Sequence, residues 1–284
     1  MTVEGITLLR RSHALTARPR MVAIDVDHTL IRSDGSLTDA TVDAVTEAQA
    51  AGIVVTLASS RPPTGLWSYL APLGLTEPAG FVALQGALVG TFDVARALTV
   101  HATYPLDARD AMTAVASAQA AGVVTNWYTA THWYVDALTE PVQREAAIVK
   151  MQPKLVSDLT RLPVPLKLLF IAPRSGSLEE LVSHLPNSVD AEVSNPAYLE
   201  ITAAGVDKAT GVRIVAERSS ISLEDVVAIG DGRNDLGLFR NAGGSIAPAN
   251  ADKSVLAEAG YLTASNNDDG VAIALRWLAT LPPR

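Results

Sequence analysis

The chain has 284 residues, enough for one large domain or two smaller ones, each with its own buried core. Hydrophobic residues make up 48% of it and charged residues 18%, a balance that fits a soluble globular protein and excludes a disordered one. The net charge of -8 argues against a general nucleic-acid binder, and the absence of cysteine excludes disulfides, thiolate metal sites and a cysteine nucleophile.

Residues 1–20 contain Arg10, Arg11, Arg18 and Arg20 but no hydrophobic stretch of the kind a secretory signal needs. They are expected to form a flexible leader, with Met21 an alternative start. No apolar run reaches the ~18–20 residues of a membrane span, so no membrane association is expected and the cytoplasm is the default location. Met21-Val-Ala-Ile-Asp25 is a short, continuously apolar run ending in an acid, as in a strand buried on both faces of a parallel sheet. Asp34-Gly35 is a turn signal between apolar flanks. Thr38 to Ala51 has helical spacing and Gly52 after it as a stop, and Ile53 to Leu57 reads as a second buried strand leading into Ser59-Ser60-Arg61-Pro62. Phe81 to Leu84 is a third strand, ending at Gln85-Gly86.

The texture changes between about Ala87 and Asn195. A hairpin is expected over Val89 to Thr99, a helix over Ala108 to Ala121, an aromatic strand pair over Asn126 to Val135, a strand over Leu166 to Ile171, a helix over Leu178 to Leu185 and a strand over Asp190 to Val193. After Lys208 the parallel pattern resumes, with a helical run over Val212 to Glu217, Val226 to Asp231 repeating the pattern of the first strand and Gly244 to Ala247 as a fifth. Strands alternating with helices imply an α/β fold with a Rossmann-like parallel-sheet core. Into that core an α+β cap is inserted: the expected domains are core segments 21–87 and 195–284 and a cap over 88–194.

Four short segments carry the chemistry. Asp25-Val-Asp27-His-Thr29 leaves the first strand at its carboxyl end, where ligands of open α/β sheets bind. Two acids spaced i, i+2 can face one small site, and their repulsion separates their pKa values into one ionised nucleophile and one general acid. A solvated turn or helix cap has the same appearance. Gly230-Asp231-Gly232-Arg233-Asn234-Asp235 offers hard oxygen ligands suited to Mg²⁺, or simply an acidic helix start. Ser59-Ser60-Arg61 provides a hydroxyl and backbone amides that suit phosphoryl oxygens, or a plain turn. Lys208 stands in the first turn of a helix, on the wrong side of the dipole. A solvated lysine tolerates that position, and one facing a phosphoryl group has a reason to be there.

In this order, three of them after buried strands, the four segments resemble the signature motifs of the haloacid dehalogenase superfamily. Leu84-Gln-Gly-Ala87, Leu199 through Lys208, Ala247-Pro-Ala-Asn-Ala251 and the tail Ser265 to Ala272 narrow the likeness to its Cof-type, subclass IIB phosphatases, over about residues 21–280. The resemblance implies that Asp25 attacks phosphorus, that Asp27 is the general acid/base, and that Ser59, Ser60 and Lys208 hold the phosphoryl group. It implies a Mg²⁺ held by Asp25, the Asp27 carbonyl and Asp231, with Asn234 or Asp235 completing the shell. His28 stands where glycine is common, and with Arg61 it is a candidate substrate contact. Ser60 replaces a glycine, and Gln85 replaces an asparagine while keeping the amide. The implied partner is a small phosphorylated metabolite such as a sugar phosphate, and the implied state a monomer or weak homo-oligomer. A phosphosugar mutase or a specialised glycosyl-phosphate phosphatase would use the same residues. A phosphoryl-binding module without turnover is the alternative of another class, against which Asp27 and the large cap both stand.

Overall fold

The computed structural model describes residues 2–3, 5–10, 14–172, 178–195 and 197–283. Met1 and Arg11 lie outside these residues. The core is a seven-stranded sheet in the order Thr2–Val3, Ile6–Leu8, Tyr261–Thr263, Gly244–Pro248, Val226–Ile229, Met21–Ile24, Val54–Leu57. The five strands from Tyr261–Thr263 to Val54–Leu57 are parallel.

The strand Met21–Ile24 shows why its sequence is apolar without alternation. Val22 and Ile24 face one layer, with Val45 and Ala48 of the helix Asp39–Ala50 and Leu275 and Leu278 of the helix Gly270–Thr280. Met21 and Ala23 face the other, with Val212 and Val215 of the helix Lys208–Arg218 and Leu238 of the helix Leu236–Asn241. All four strand residues are fully buried, as expected when helices cover both faces.

Residues 6–8 depart from the expected leader. Ile6–Leu8 pairs antiparallel with Tyr261–Thr263, Ile6 is buried in the core, and the Arg18 guanidinium bonds the carbonyls of Ala51 and Leu281. A three-residue strand with arginines soon after it carries little pattern of its own, and Tyr261–Thr263 supplies its partner in the core. The hairpin forms over Leu88–Phe92 and Leu98–Thr103, but it extends Phe81–Ala83 antiparallel, and a parallel bridge from Ala58 to Val82 ties this small sheet to the core.

The second large sheet has six strands in the order Lys154–Leu155, Trp133–Val135, Val124–Tyr128, Lys167–Ile171, Tyr198–Ala203, Val189–Asn195. Helices Ala108–Ala120 and Leu178–Val182 cover one face. The opposite face, with the helix Glu140–Val149, packs continuously with core residues such as Leu66 and Tyr69. Because Tyr198–Ala203 pairs within this sheet, its return to the core falls after Ala203 and not at 195, and the hairpin that the expected boundary assigned to the cap sits on the core sheet. The expected cap boundaries therefore move inward at one end and outward at the other. The apolar pattern of Leu199 to Ile201 suits either sheet, so sequence alone did not locate the crossing. No helix among the described residues is long and apolar enough to cross a membrane.

Candidate active site

Register brings the scattered segments together. Ile24 lies beside both Ile229 and Leu57, so three parallel strands end level and release Asp25, Gly230-Asp231 and Ala58-Ser59 at one edge. The chain after Asp25 then turns sharply. Asp27 is extended, His28 takes a left-handed φ of 59°, and the His28 carbonyl accepts a bond from Asn250 at 2.8 Å. That backbone explains the glycine-like character of position 28, since histidine is among the non-glycine residues that tolerate it. Gln85 is likewise left-handed, at φ 62°. Gly86 has φ 102°, and a Cβ there would lie 1.9 Å from the Asp207 carbonyl oxygen, so glycine is what allows the loop to reach the start of the Lys208 helix.

Asp207 caps that helix through the Thr210 amide at 2.9 Å, and Lys208 follows as its first residue. Its ammonium is fully buried and donates to Asp25 at 2.5 Å and to Asp235 at 2.7 Å. Two carboxylates thus hold the cation at the end of the helix where the dipole opposes it. Burial works to lower the Lys208 pKa, but Asp235 and Asp25 together lift it above its ordinary value. Asp231 accepts from the Thr29 hydroxyl at 2.6 Å, and Asp235 also accepts from the Gly232 amide at 3.0 Å.

The carboxylates of Asp25, Asp231 and Asp235 offer oxygens within 4.8 Å of one another. Lys208 is the lone cation bonded to any of them among the described residues, so the cluster carries excess negative charge. Burial first, then the neighbouring acids against the pull of Lys208, pushes the Asp25 carboxyl well above the usual carboxylate range. Asp231 is also raised, chiefly by burial. Hard oxygen donors with uncompensated charge fit a divalent cation such as Mg²⁺. Asn234 lies beside them and donates to Gln85 at 3.2 Å.

Asp27 is brought to the same cavity but faces another partner. Arg61 clamps both its carboxylate oxygens, at 2.8 and 2.6 Å, and a third guanidinium nitrogen reaches the Ile148 carbonyl in the cap at 2.6 Å. Asp27 remains 38% exposed while Arg61 is only 4% exposed, so the candidate substrate contact is here an internal clamp. Ser59 is buried and its hydroxyl accepts from the Arg61 amide at 3.1 Å. Ser60 lines the cavity beside His28, which is exposed at its mouth.

The cavity measures about 250 Å³ and lies between core and cap. Its core wall holds Asp25, Asp27, Asp231 and Asn234; its cap wall holds Tyr128, Glu145, Lys167 and Tyr198. Of the four cap residues only Tyr128 drew notice in the sequence, within an aromatic stretch over Trp127 to Tyr134 that could stack on a sugar or pack the cap's own sheet. A weak signal existed: Lys167 and Glu200 are charges inside otherwise apolar strands, and they form a buried pair at 2.8 Å. The aromatic strands mostly pack the cap itself, with Tyr128 stacked on Trp133 at 5.3 Å and the Trp127 indole donating to the Pro163 carbonyl.

Comparisons with known proteins agree with this geometry. The model of the haloacid dehalogenase-like hydrolases matches residues 22–275. A Bacillus subtilis protein named "Putative phosphatase YxeH" is 29% identical over 91% of this chain and 98% of its own length. A 5-amino-6-(5-phospho-D-ribitylamino)uracil phosphatase of the same organism is 24% identical over 92% of this chain and 98% of its own. Among solved structures, a haloacid dehalogenase-like hydrolase from Bacteroides thetaiotaomicron superposes with a TM-score of 0.81 at 26% identity, covering 92% of this chain and all of that one. A subclass IIB sugar phosphatase shares the fold with a TM-score of 0.79 at 22% identity, over 91% of this chain and 98% of its own.

Proposed function

The chain belongs to the haloacid dehalogenase-like hydrolases and is a phosphoric monoester hydrolase, and we propose that it cleaves small phosphate esters with Asp25 as nucleophile. The observation that carries this reading is the meeting of Asp25, Lys208, Asp231 and Asp235 just beyond the level ends of parallel strands, with Asp25 and Asp231 lining a cavity shared with Asp27. An Asp25 oxygen attacks phosphorus and the ester P–O bond breaks. Asp27 gives its proton to the leaving oxygen and then, as a carboxylate, takes one from water. That water attacks the aspartyl-phosphate, releases inorganic phosphate and restores Asp25. Arg61 bonds each Asp27 oxygen once, which leaves each oxygen a second lone pair for the proton that is exchanged while the guanidinium holds the carboxyl in place.

Lys208 offers positive charge beside Asp25, where the equatorial phosphoryl oxygens gather charge in flight; Ser60 lines the same cavity, and the buried Ser59 precedes it in the chain. Asp25, Asp231 and either Asn234 or Asp235 would hold Mg²⁺, which supplies neutralising charge between an anionic nucleophile and an anionic ester. A cavity of about 250 Å³ favours a small metabolite, a sugar phosphate or relative, acted on in the cytoplasm. The test is a phosphate-release screen over many phosphometabolites, with Mg²⁺ and with excess chelator, for wild type and Asp25→Asn. Release confined to wild type with Mg²⁺ supports the reading; release that survives the chelator or the substitution overturns it. A mutase would instead interconvert isomers without stoichiometric phosphate release.

A further inference from the structure

The cap wall of the cavity carries polar groups that the chemistry at Asp25 leaves unused. Glu145 is 6% exposed, and one of its carboxylate oxygens accepts from the Tyr198 hydroxyl at 2.7 Å. Tyr128 is 1% exposed and lines the cavity, yet its hydroxyl has no hydrogen-bond partner among the described residues. Buried hydroxyls are nearly always satisfied, and an orphan on a residue that lines a cavity beside a catalytic site points to a ligand as the missing partner.

The charges say which ligand. Both long cations of the cavity are already engaged: Lys167 binds Glu200 and the Ser60 carbonyl, each at 2.8 Å, and Arg61 binds Asp27 and the Ile148 carbonyl. A second anionic group on a substrate would meet no free lysine or arginine among the described residues that line the cavity, and would meet the buried Glu145 carboxylate. A hydroxyl of an uncharged leaving group can donate to Glu145 and exchange a bond with Tyr128.

Resting on the proposed function above, we infer that Glu145 and Tyr128 read the leaving group and select phosphate esters of uncharged polyhydroxy alcohols over esters bearing a carboxylate or a second phosphate. The matched probes are sorbitol phosphate and phosphogluconate, which differ by a terminal carboxylate in place of a hydroxymethyl group. Wild type is expected to favour sorbitol phosphate in kcat/KM by at least ~10-fold, and Glu145→Gln to narrow that preference by ~10-fold. Tyr128→Phe is expected to lower kcat/KM for sorbitol phosphate about 5-fold while leaving Tm unchanged or raised, because the free protein gives that hydroxyl no bond to lose. A purely structural tyrosine would lower Tm instead. The inference is overturned if wild type turns over phosphogluconate as well as sorbitol phosphate, or if the ratio is unmoved in folded Glu145→Gln. Should Glu145→Gln fail to fold, the Tyr128→Phe result decides. Release that persists in Asp25→Asn overturns the nucleophile assignment alone, since the wild-type ratio does not depend on which group attacks.

Discussion

The two walls of the cavity are both built from buried charge, but they are built differently. On the core wall Lys208 bonds two carboxylates from different strand ends, and Asp231 and Asp235 each have further donors. On the cap wall the Lys167–Glu200 pair is also buried, yet the Tyr128 hydroxyl has no partner among the described residues. On the proposed reading, the core wall serves the atoms common to every phosphate ester, and the cap wall serves the part of the substrate that varies.

Breaking the core wall is expected to have the largest effects. Asp25→Asn should reduce phosphate release by at least about 10⁴-fold on every ester, measured with Mg²⁺ present, because a lost nucleophile is not replaced by binding alone. Lys208→Met leaves Asp25 and Asp235 buried without their cation. In chelator this should destabilise the fold by about 3–5 kcal/mol in urea unfolding, and Mg²⁺ should raise the variant's stability more than the wild type's.

A pair of glycines sharpens the contrast in backbone tolerance. Gly86→Ala would place a Cβ 1.9 Å from the Asp207 carbonyl at φ 102°, and should cost about 3 kcal/mol or more. Gly122 in the cap is also left-handed, at φ 68°, but nothing lies within 4 Å of its would-be Cβ. Gly122→Ala should therefore cost only the backbone strain, about 1–2 kcal/mol. Equal costs would mean that the close approach at Gly86 does not constrain the site.

The smallest effect concerns pH. Glu192, a cap carboxylate that accepts from Gln85, is pushed from 4.5 up to about 7 by burial and then by Glu200. An acid raised in the folded state binds its proton more tightly there than in the unfolded chain. Its contribution thus favours folding at low pH and is lost as pH rises from 4.5 to about 7. Glu192→Gln should lose less stability than wild type over that interval in thermal unfolding followed in chelator.

The same contrast explains what could be read from the sequence. Asp25, Asp27, Asp231 and Ser59 lie just after buried strands, so local pattern and the rule that ligands gather at strand ends brought each to notice, and the likeness of their order to the family's signature motifs joined them into one site. Lys208 looked misplaced on its helix until its two carboxylate partners were seen. Glu145, Tyr128, Lys167 and Tyr198 come from a helix and three strands of the cap; Glu145 and Tyr198 are unremarkable among their chain neighbours, and Tyr128 and Lys167 stand out only weakly. Their meeting depends on antiparallel pairing across long loops, which carries no local signature. The strand Ile6–Leu8 was missed because the strand that joins it to the core lies more than 250 residues away. The Arg61 clamp on Asp27 was likewise invisible, since a motif does not state which way a guanidinium turns.

The central claim is that Asp25 becomes covalently phosphorylated. The direct measurement is peptide mapping by mass spectrometry of acid-quenched enzyme incubated with a turned-over ester and Mg²⁺, using Asp27→Asn to slow release of the phosphoryl group. The account predicts a phosphoryl adduct on the peptide containing Asp25 in Asp27→Asn, and none in Asp25→Asn. An adduct on another residue, or turnover with no adduct in any quenched sample, would contradict it.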